Sequence, residues 1–344
     1  MAYSTISKPS LYFNTKLYTG NSSTQAITGV GFQPDWVWIK RRDASAGHKL
    51  TDAVRGVNKQ LISNNSNAQN SDTNILTAFG SDGFTLGNST DVNNNTSPNV
   101  AWNWKANGAG SSNSDGSVSA TLSANATAGF SISTFTTSGS GTFTVGHGLG
   151  VAPKMIIYRP TGSSSWQVGH NSIGWTNFLT LDGSSASSTS TAFGNTAPTT
   201  SVWTGNTANV GANAPCVAYC FADVTGYSKF GSYTGNDNAD GTFVYTGFKP
   251  AWIIRKNIDG GITESWFMED NKRNTFNPAN EWLAADASSA EGANNFDTDF
   301  LSNGFKMRSN NHGTNKGSTN YIYMAIAEEP LVANVGASIP ATAR

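Results

Sequence analysis

The stretch Val30-Gly31-Phe32-Gln33-Pro34-Asp35-Trp36-Val37-Trp38-Ile39-Lys40 returns twice in the same chain. It reappears as Leu149-Gly150-Val151-Ala152-Pro153-Lys154-Met155-Ile156-Ile157-Tyr158-Arg159, and again as Gly247-Phe248-Lys249-Pro250-Ala251-Trp252-Ile253-Ile254-Arg255. Each copy has a proline, one further residue, then a run of large apolar residues and a base. Proline removes a ladder N–H, so it belongs at a strand's first residue or on an edge. The apolar run behind it predicts a strand covered on both faces.

Other features follow each copy in constant order. Asp52-Ala53-Val54-Arg55-Gly56 has His170-Asn171-Ser172-Ile173-Gly174 and Asp270-Asn271-Lys272-Arg273-Asn274 as counterparts. Short apolar strands come next: Gln60-Leu61-Ile62-Ser63, Phe178-Leu179-Thr180-Leu181 and Glu281-Trp282-Leu283-Ala284. Ser81-Asp82-Gly83-Phe84-Thr85-Leu86 then pairs with Ser302-Asn303-Gly304-Phe305-Lys306-Met307, and more weakly with Ser201-Val202-Trp203. A closing strand ends each copy. From Pro34 to Val100, Pro153 to Val217 and Pro250 to Ile322 the spans are 66, 64 and 72 residues. Self-similarity at such a spacing is the mark of a repeat architecture.

Short aromatic or β-branched runs between polar turn clusters predict antiparallel sandwiches. The expected fold is all-β: three tandem, diverged, jelly-roll-like β-sandwich modules at residues 10–108, 128–228 and 229–331. A short arm (1–9) precedes them. A Gly/Ser/Asn-rich mobile linker is expected at 109–127, and an extended tail at 332–344. Lone helical turns are placed near 52–62 and 270–284.

Composition supports a folded chain. Charged residues are 12% of the 344, about half the usual share of roughly 25%, yet aromatics reach 11% with ten Trp. Disordered chains lack aromatics. A net charge of −1 without a basic stripe argues against nucleic acid, and no apolar run is long enough for a membrane span. Met1 to Pro9 lacks the apolar core of a secretion signal. Synthesis in a cytoplasm is expected, with any exit depending on something else, such as lysis. Cys216 and Cys220 fall on one strand about 13 Å apart, beyond disulfide reach, so two free, buried thiols are expected.

Motifs for chemistry fare poorly. Gly235-Asn236-Asp237-Asn238-Ala239-Asp240-Gly241 imitates a calcium loop, but Gly247 stands where the bidentate Glu is needed. A hairpin turn is expected there, with Asp237 and Asp240 left as a weak ion site. Gly146-His147-Gly148-Leu149-Gly150 reads as turn glycines, and His48, His170 and His312 lack neighbours at ligand spacing. No metal and no cofactor are assigned. Glu264, Glu269, Asp270, Glu281, Asp286, Glu291, Asp297 and Asp299 concentrate acids in module three, without a Ser-His-Asp arrangement beside them; solvated loops are the expected setting. Trp166 and Trp266 occupy equivalent places after polar loops, with His48 in that place in module one. An indole there either stacks on a sugar or closes a sandwich end. These three, with Trp175 and Trp282, are the candidate glycan or partner contacts.

The openings Lys8-Pro9-Ser10-Leu11-Tyr12-Phe13-Asn14-Thr15-Lys16-Leu17-Tyr18-Thr19-Gly20-Asn21 and Gly29 to Lys40 resemble a family of tail-fibre-like proteins common in marine bacteriophages. Val145 to Ile157, Gly226-Tyr227-Ser228-Lys229-Phe230-Gly231-Ser232-Tyr233-Thr234-Gly235-Asn236 and the ending Ile339-Pro340-Ala341-Thr342-Ala343-Arg344 are similar too. The resemblance covers nearly the whole chain. It implies a virion component, non-enzymatic, that attaches to a host surface glycan and to other tail or capsid proteins. The expected assembly is a homo-oligomer, with a trimer favoured. Two alternatives stand beside it: a polysaccharide depolymerase on the same appendage, and a purely architectural tail adaptor or capsid decoration. Pro330 to Arg344 is expected to dock as an added strand.

Overall fold

A strand that is apolar on both faces needs cover on both sides, and the fold supplies it three times. A computed structural model describes residues 4–260 and 263–331. The chain is 46% strand and 4% helix, and every named strand pairing is antiparallel. The expected docking of the tail lies outside the described residues.

Each module has a main sheet with the same strand order. In module one this is Phe13–Thr19, Pro98–Trp104, Trp36–Arg41, Lys49–Asp52 and Lys59–Ile62. Module two repeats it with Phe130–Thr136, Pro215–Phe221, Met155–Pro160, Gln167–His170 and Asn177–Thr180. Module three uses Ser228–Thr234, Asn320–Pro330, Phe248–Asn257, Phe267–Asp270 and Ala279–Ala284. The register agrees as well. Phe13, Trp104, Trp36 and Asp52 stand side by side across module one. The same positions hold Phe130, Phe221, Met155 and His170 in module two, and Ser228, Ile326, Trp252 and Asp270 in module three. The modules are structural copies.

A smaller layer covers one face of each main sheet. Gln25–Thr28 pairs with Gly83–Leu86, Thr142–Gly146 with Val202–Asn206, and Phe243–Tyr245 with Gly304–Met307. In module three the ten-residue strand Gly292–Leu301 pairs with Ala279–Ala284 and with Gly304–Met307, so its two layers are one wrapped sheet. Side chains alternate along the Pro-led strands. Val37 and Ile39 enter module one's own sandwich core. Trp36 and Trp38 join a second, larger core with Met155, Ile157, Trp252 and Ile254. One core is therefore shared by all three modules.

The modules close into a ring, because equivalent residues bond from each module to the one before. Ser164 N–H donates to Ser66 O, Glu264 N–H to Ser184 O, and Ala46 N–H to Ser288 O. In the opposite sense Gln69 N–H donates to Thr161 O, Ser187 N–H to Ile258 O, and Glu291 N–H to Arg42 O. Six bonds in three matched pairs run two to one, three to two and one to three. That is a pseudo-threefold arrangement within one chain.

Three expectations are corrected. Residues 109–127 carry strands Ser111–Asn113 and Ala120–Asn125, which extend module two's main sheet beyond Phe130–Thr136; their Ser and Thr side chains suit an exposed ladder. The base equivalent to Lys40 and Arg159 is Lys256, because the register aligns Trp36, Met155 and Trp252. Arg255 points instead into module three's own core. Finally, residues 235–242 are no hairpin, since Ser228–Thr234 and Phe243–Tyr245 lie at opposite edges of the wrapped sheet.

Candidate functional site

The side chains singled out for binding are mostly mortar between modules. Trp166 and Trp266 are 0% and 1% exposed. Their indole N–H groups donate at 2.8 Å to Ile62 O and Thr180 O of the preceding module. His48, also 0% exposed, takes the same place toward module three and interacts with the backbone of Ala284; its Nδ1 accepts from Trp38 Nε1 at 2.8 Å. Trp175 is buried against Phe193. A sugar reaches none of these four. Trp282 is half-buried: its ring lies on Gly292, where a Cβ would come within 2.2 Å, and its edge faces Phe267 and Phe296.

A second set of side chains also crosses the seams. Tyr219 Oη donates to Asp52 Oδ2 at 2.8 Å, and Trp102 Nε1 to Asp270 Oδ2 at 3.1 Å. His170 Nε2 meets Tyr323 O at 3.2 Å. Each of these again joins neighbouring modules in the same cyclic order. Arg159 reaches the carbonyls of Asn65, Ser66 and Asn67, and Lys256 Nζ donates to Ser184 O at 3.0 Å.

The seam between modules one and three, where no chain connection helps, carries a network of ion pairs. Arg42 bonds Glu291 at 2.6 Å and Glu281 at 3.2 Å, while Arg273 bonds Glu291 at 2.9 Å and Asp270 at 2.6 Å. Burial alone would raise the Asp270 carboxyl, but Arg273 and the bond from Trp102 outweigh it and hold it low. Glu281 is raised by burial and by Glu291 beside it. Glu269 pairs with Arg255, Asp299 with Arg308, and Asp286 accepts from Trp266 N–H. Of the acids expected in solvated loops, Asp270, Glu281 and Glu291 join modules one and three instead, while Glu269, Asp286 and Asp299 are tied down within module three.

Asp237 pairs with Lys316 at 3.0 Å, and Asp240 with Lys306 at 2.6 Å and Arg308 at 2.9 Å. The loop that carries them is pinned by Asn315 Nδ2, which donates to Asn236 Oδ1, Asn238 O and Ser309 O. Asn93 holds the module-one loop in the same manner, through Asn21 Oδ1, Ser23 O and Gly87 O. It is an asparagine-locked arch. Among the described residues no group of three or more His, Cys, Asp and Glu side chains is placed to hold a metal, and no helix is long and apolar enough to cross a membrane. Cys216 and Cys220 are free and buried, as expected; burial pushes the Cys216 thiol up to about 12.

The fold and these positions are spanned by one family model, which covers residues 8–330 and is described as Domain of unknown function (DUF7483). The chain belongs to that family. No curated protein and no solved structure matches it.

Within this DUF7483 chain the open surface includes a cleft of about 260 Å³. It is lined by Asp223, Ser228, Lys229, Tyr245 and Thr246, where module two meets module three.

The buried histidines give a pH prediction. Burial pushes His170 down from 6.5 to about 4, against the opposing pull of Tyr323 O. His48 and His147 are lowered by burial as well. The unfolded chain then binds protons that the folded chain refuses, so stability is complete above the unfolded value and falls as pH drops below it. His170 alone should cost about 2 kcal/mol at pH 5. Urea titrations at pH 7.5 and 5 should show this loss, and His170→Asn should lose less between the two. An equal loss in the variant would refute the assignment.

Proposed function

We propose that this chain is a structural component of a bacteriophage particle, an appendage protein of the tail-fibre-like kind that binds a host surface glycan without chemistry. The observation that supports this most is the closed ring. Six of its polar and aromatic side chains join the three sandwiches: Trp166, Trp266 and His48 in one belt, Tyr219, Trp102 and His170 in the next. A protein built this way is rigid and presents three related outer faces. The likeness of its openings to tail-fibre-like phage proteins points the same way. Its partners on this reading are other tail or capsid proteins, and one copy already offers a threefold partner the symmetry that a trimeric fibre assembles from three chains.

Purified particles test the proposal. Mass spectrometry should find the chain at stoichiometric abundance, and gold-labelled antibody should decorate a tail or surface appendage in electron micrographs. Absence from washed particles would overturn the reading.

A further inference from the structure

The three modules serve as an internal comparison, and their outer layers differ in one respect. Ile27–Phe84, Val145–Trp203 and Val244–Phe305 are equivalent inward-facing pairs. The flanking positions on the outward face hold Ala26 and Thr28 in module one, and Thr144 and Gly146 in module two. In module three they hold Phe243 and Tyr245, which are 44% and 54% exposed. The ring that buries most of its aromatics leaves these two in water.

They are not alone. Tyr245 pairs with Gly304, and Gly304 with Leu301. Asn277 exchanges bonds with Phe300 through its side chain, and Ala279 pairs with Thr298. The Asn277 bonds hold its neighbour Phe276, 79% exposed, in the bend before Ala279–Ala284 and near the Phe300–Leu301 end of the sheet. Leu301, Gly304 and Tyr245 form one row across three neighbouring strands, about 10 Å wide at the usual spacing, with Phe276 near its Leu301 end. Gly304 is needed there: a Cβ would sit 2.0 Å from Val244 O and 3.1 Å from the Phe243 ring.

We infer that this row, with Phe243 beside it, is a platform on which the rings of an uncharged glycan stack. The charge around it favours that occupant, because the cations Lys306 and Arg308 are both neutralised by Asp240 and Asp299. An aromatic face with paired charges matches a neutral sugar, which has apolar ring faces and hydroxyl edges. The area argues against a second copy of the chain. With Phe243, Tyr245 and Phe276 at 44%, 54% and 79% exposure, and about 200 Å² per aromatic side chain, the three rings expose roughly 350 Å², well below the roughly 800 Å² per partner of a stable interface. Tyr245 also stands on the rim of the cleft that holds Asp223, Lys229 and Thr246, so sugar hydroxyls at that end meet polar partners. This assignment rests on the reading of the chain as an attachment protein, and names the chemistry of its contact.

The test is binding of the full chain to four neutral polysaccharides, dextran, laminarin, mannan and galactan, with acidic alginate as contrast. The variant Phe243→Ala with Tyr245→Thr installs what module one carries at these positions, so folding is preserved by precedent and checked by circular dichroism. Phe276→Ala is made separately. Retention on at least one neutral polysaccharide is expected, weakened about tenfold or more in the double variant. No retention on any of the four, undiminished binding by the variants, or preference for alginate would overturn the platform. So would self-association that the double variant abolishes. Each of those leaves the particle reading intact if the chain is present in virions, whereas absence from virions removes that reading whatever the sugars do.

Discussion

Trp36→Ala should destabilise the protein by about 3–5 kcal/mol and should loosen two modules at once. Trp36 is 1% exposed. Its ring lies 4.5 Å from Trp104 in its own module, but 4.3 Å from Tyr219, 5.8 Å from Phe130 and 6.0 Å from Phe221 in the next. Its indole N–H has no partner among the described residues, so the cost is that of transfer and of the cavity left behind. Hydrogen exchange should speed up in Phe130–Thr136 and Pro215–Phe221 as well as in module one. Phe84→Ala, which empties module one's own core, should leave those module-two strands protected. Denaturation followed by two probes should remain one transition. Separate transitions for the modules, or a Trp36→Ala effect confined to residues 10–108, would refute a shared core.

The repeats were legible because each combines a two-residue alternation with a proline that marks where the strand begins. Even where letters differ, Trp36, Met155 and Trp252 are all large and apolar, and volume is what the shared core selects. The ring was not legible. A strand apolar on both faces shows that something covers it, without showing whether the cover is its own second layer or two sister modules. That ambiguity leaves Trp166, Trp266 and His48 open, from sequence alone, between sugar contact and closing a sandwich. A tryptophan after a polar loop looks the same in sequence whether its N–H meets a sugar or a neighbouring carbonyl. The linker was misread for a related reason: Ser and Thr in Ser111–Asn113 and Ala120–Asn125 serve a solvent-facing ladder as well as a flexible tether. A signal for the outer platform was present in the repeats. Phe243 and Tyr245 are bulky where Ala26, Thr28, Thr144 and Gly146 are small, and a column-by-column comparison of modules exposes the difference.

The second large effect concerns Glu269. Glu269→Ala should cost about 3–5 kcal/mol, because it leaves a buried guanidinium without its counter-ion. Both side chains are 0% exposed, and Arg255 Nη1 and Nη2 each bond a carboxylate oxygen at 2.9 Å. The fork also donates to Thr298 Oγ1 and Phe296 O at 2.8 Å. Burial raises the Glu269 carboxyl while Arg255 pulls it back. Module one reveals what the pair is for. Its equivalents are Ile39, three residues after the aligned Trp36, and Thr51, one before Asp52, and in module two Tyr158 and Gly169. The same site thus folds with an aliphatic, an aromatic or an ionic filling. A buried ion pair recovers its desolvation only when both charges are present. The double change Arg255→Ile with Glu269→Thr should therefore restore most of what Glu269→Ala loses, ending within about 1.5 kcal/mol of the parent. Urea titration of the parent and the two variants measures this difference. If the double variant is as unstable as Glu269→Ala, the cost lies in the bonds to Thr298 and Phe296 rather than in the stranded charge. Module three's core would then be specified by that polar network, and the interchangeability that its two sister modules imply would fail.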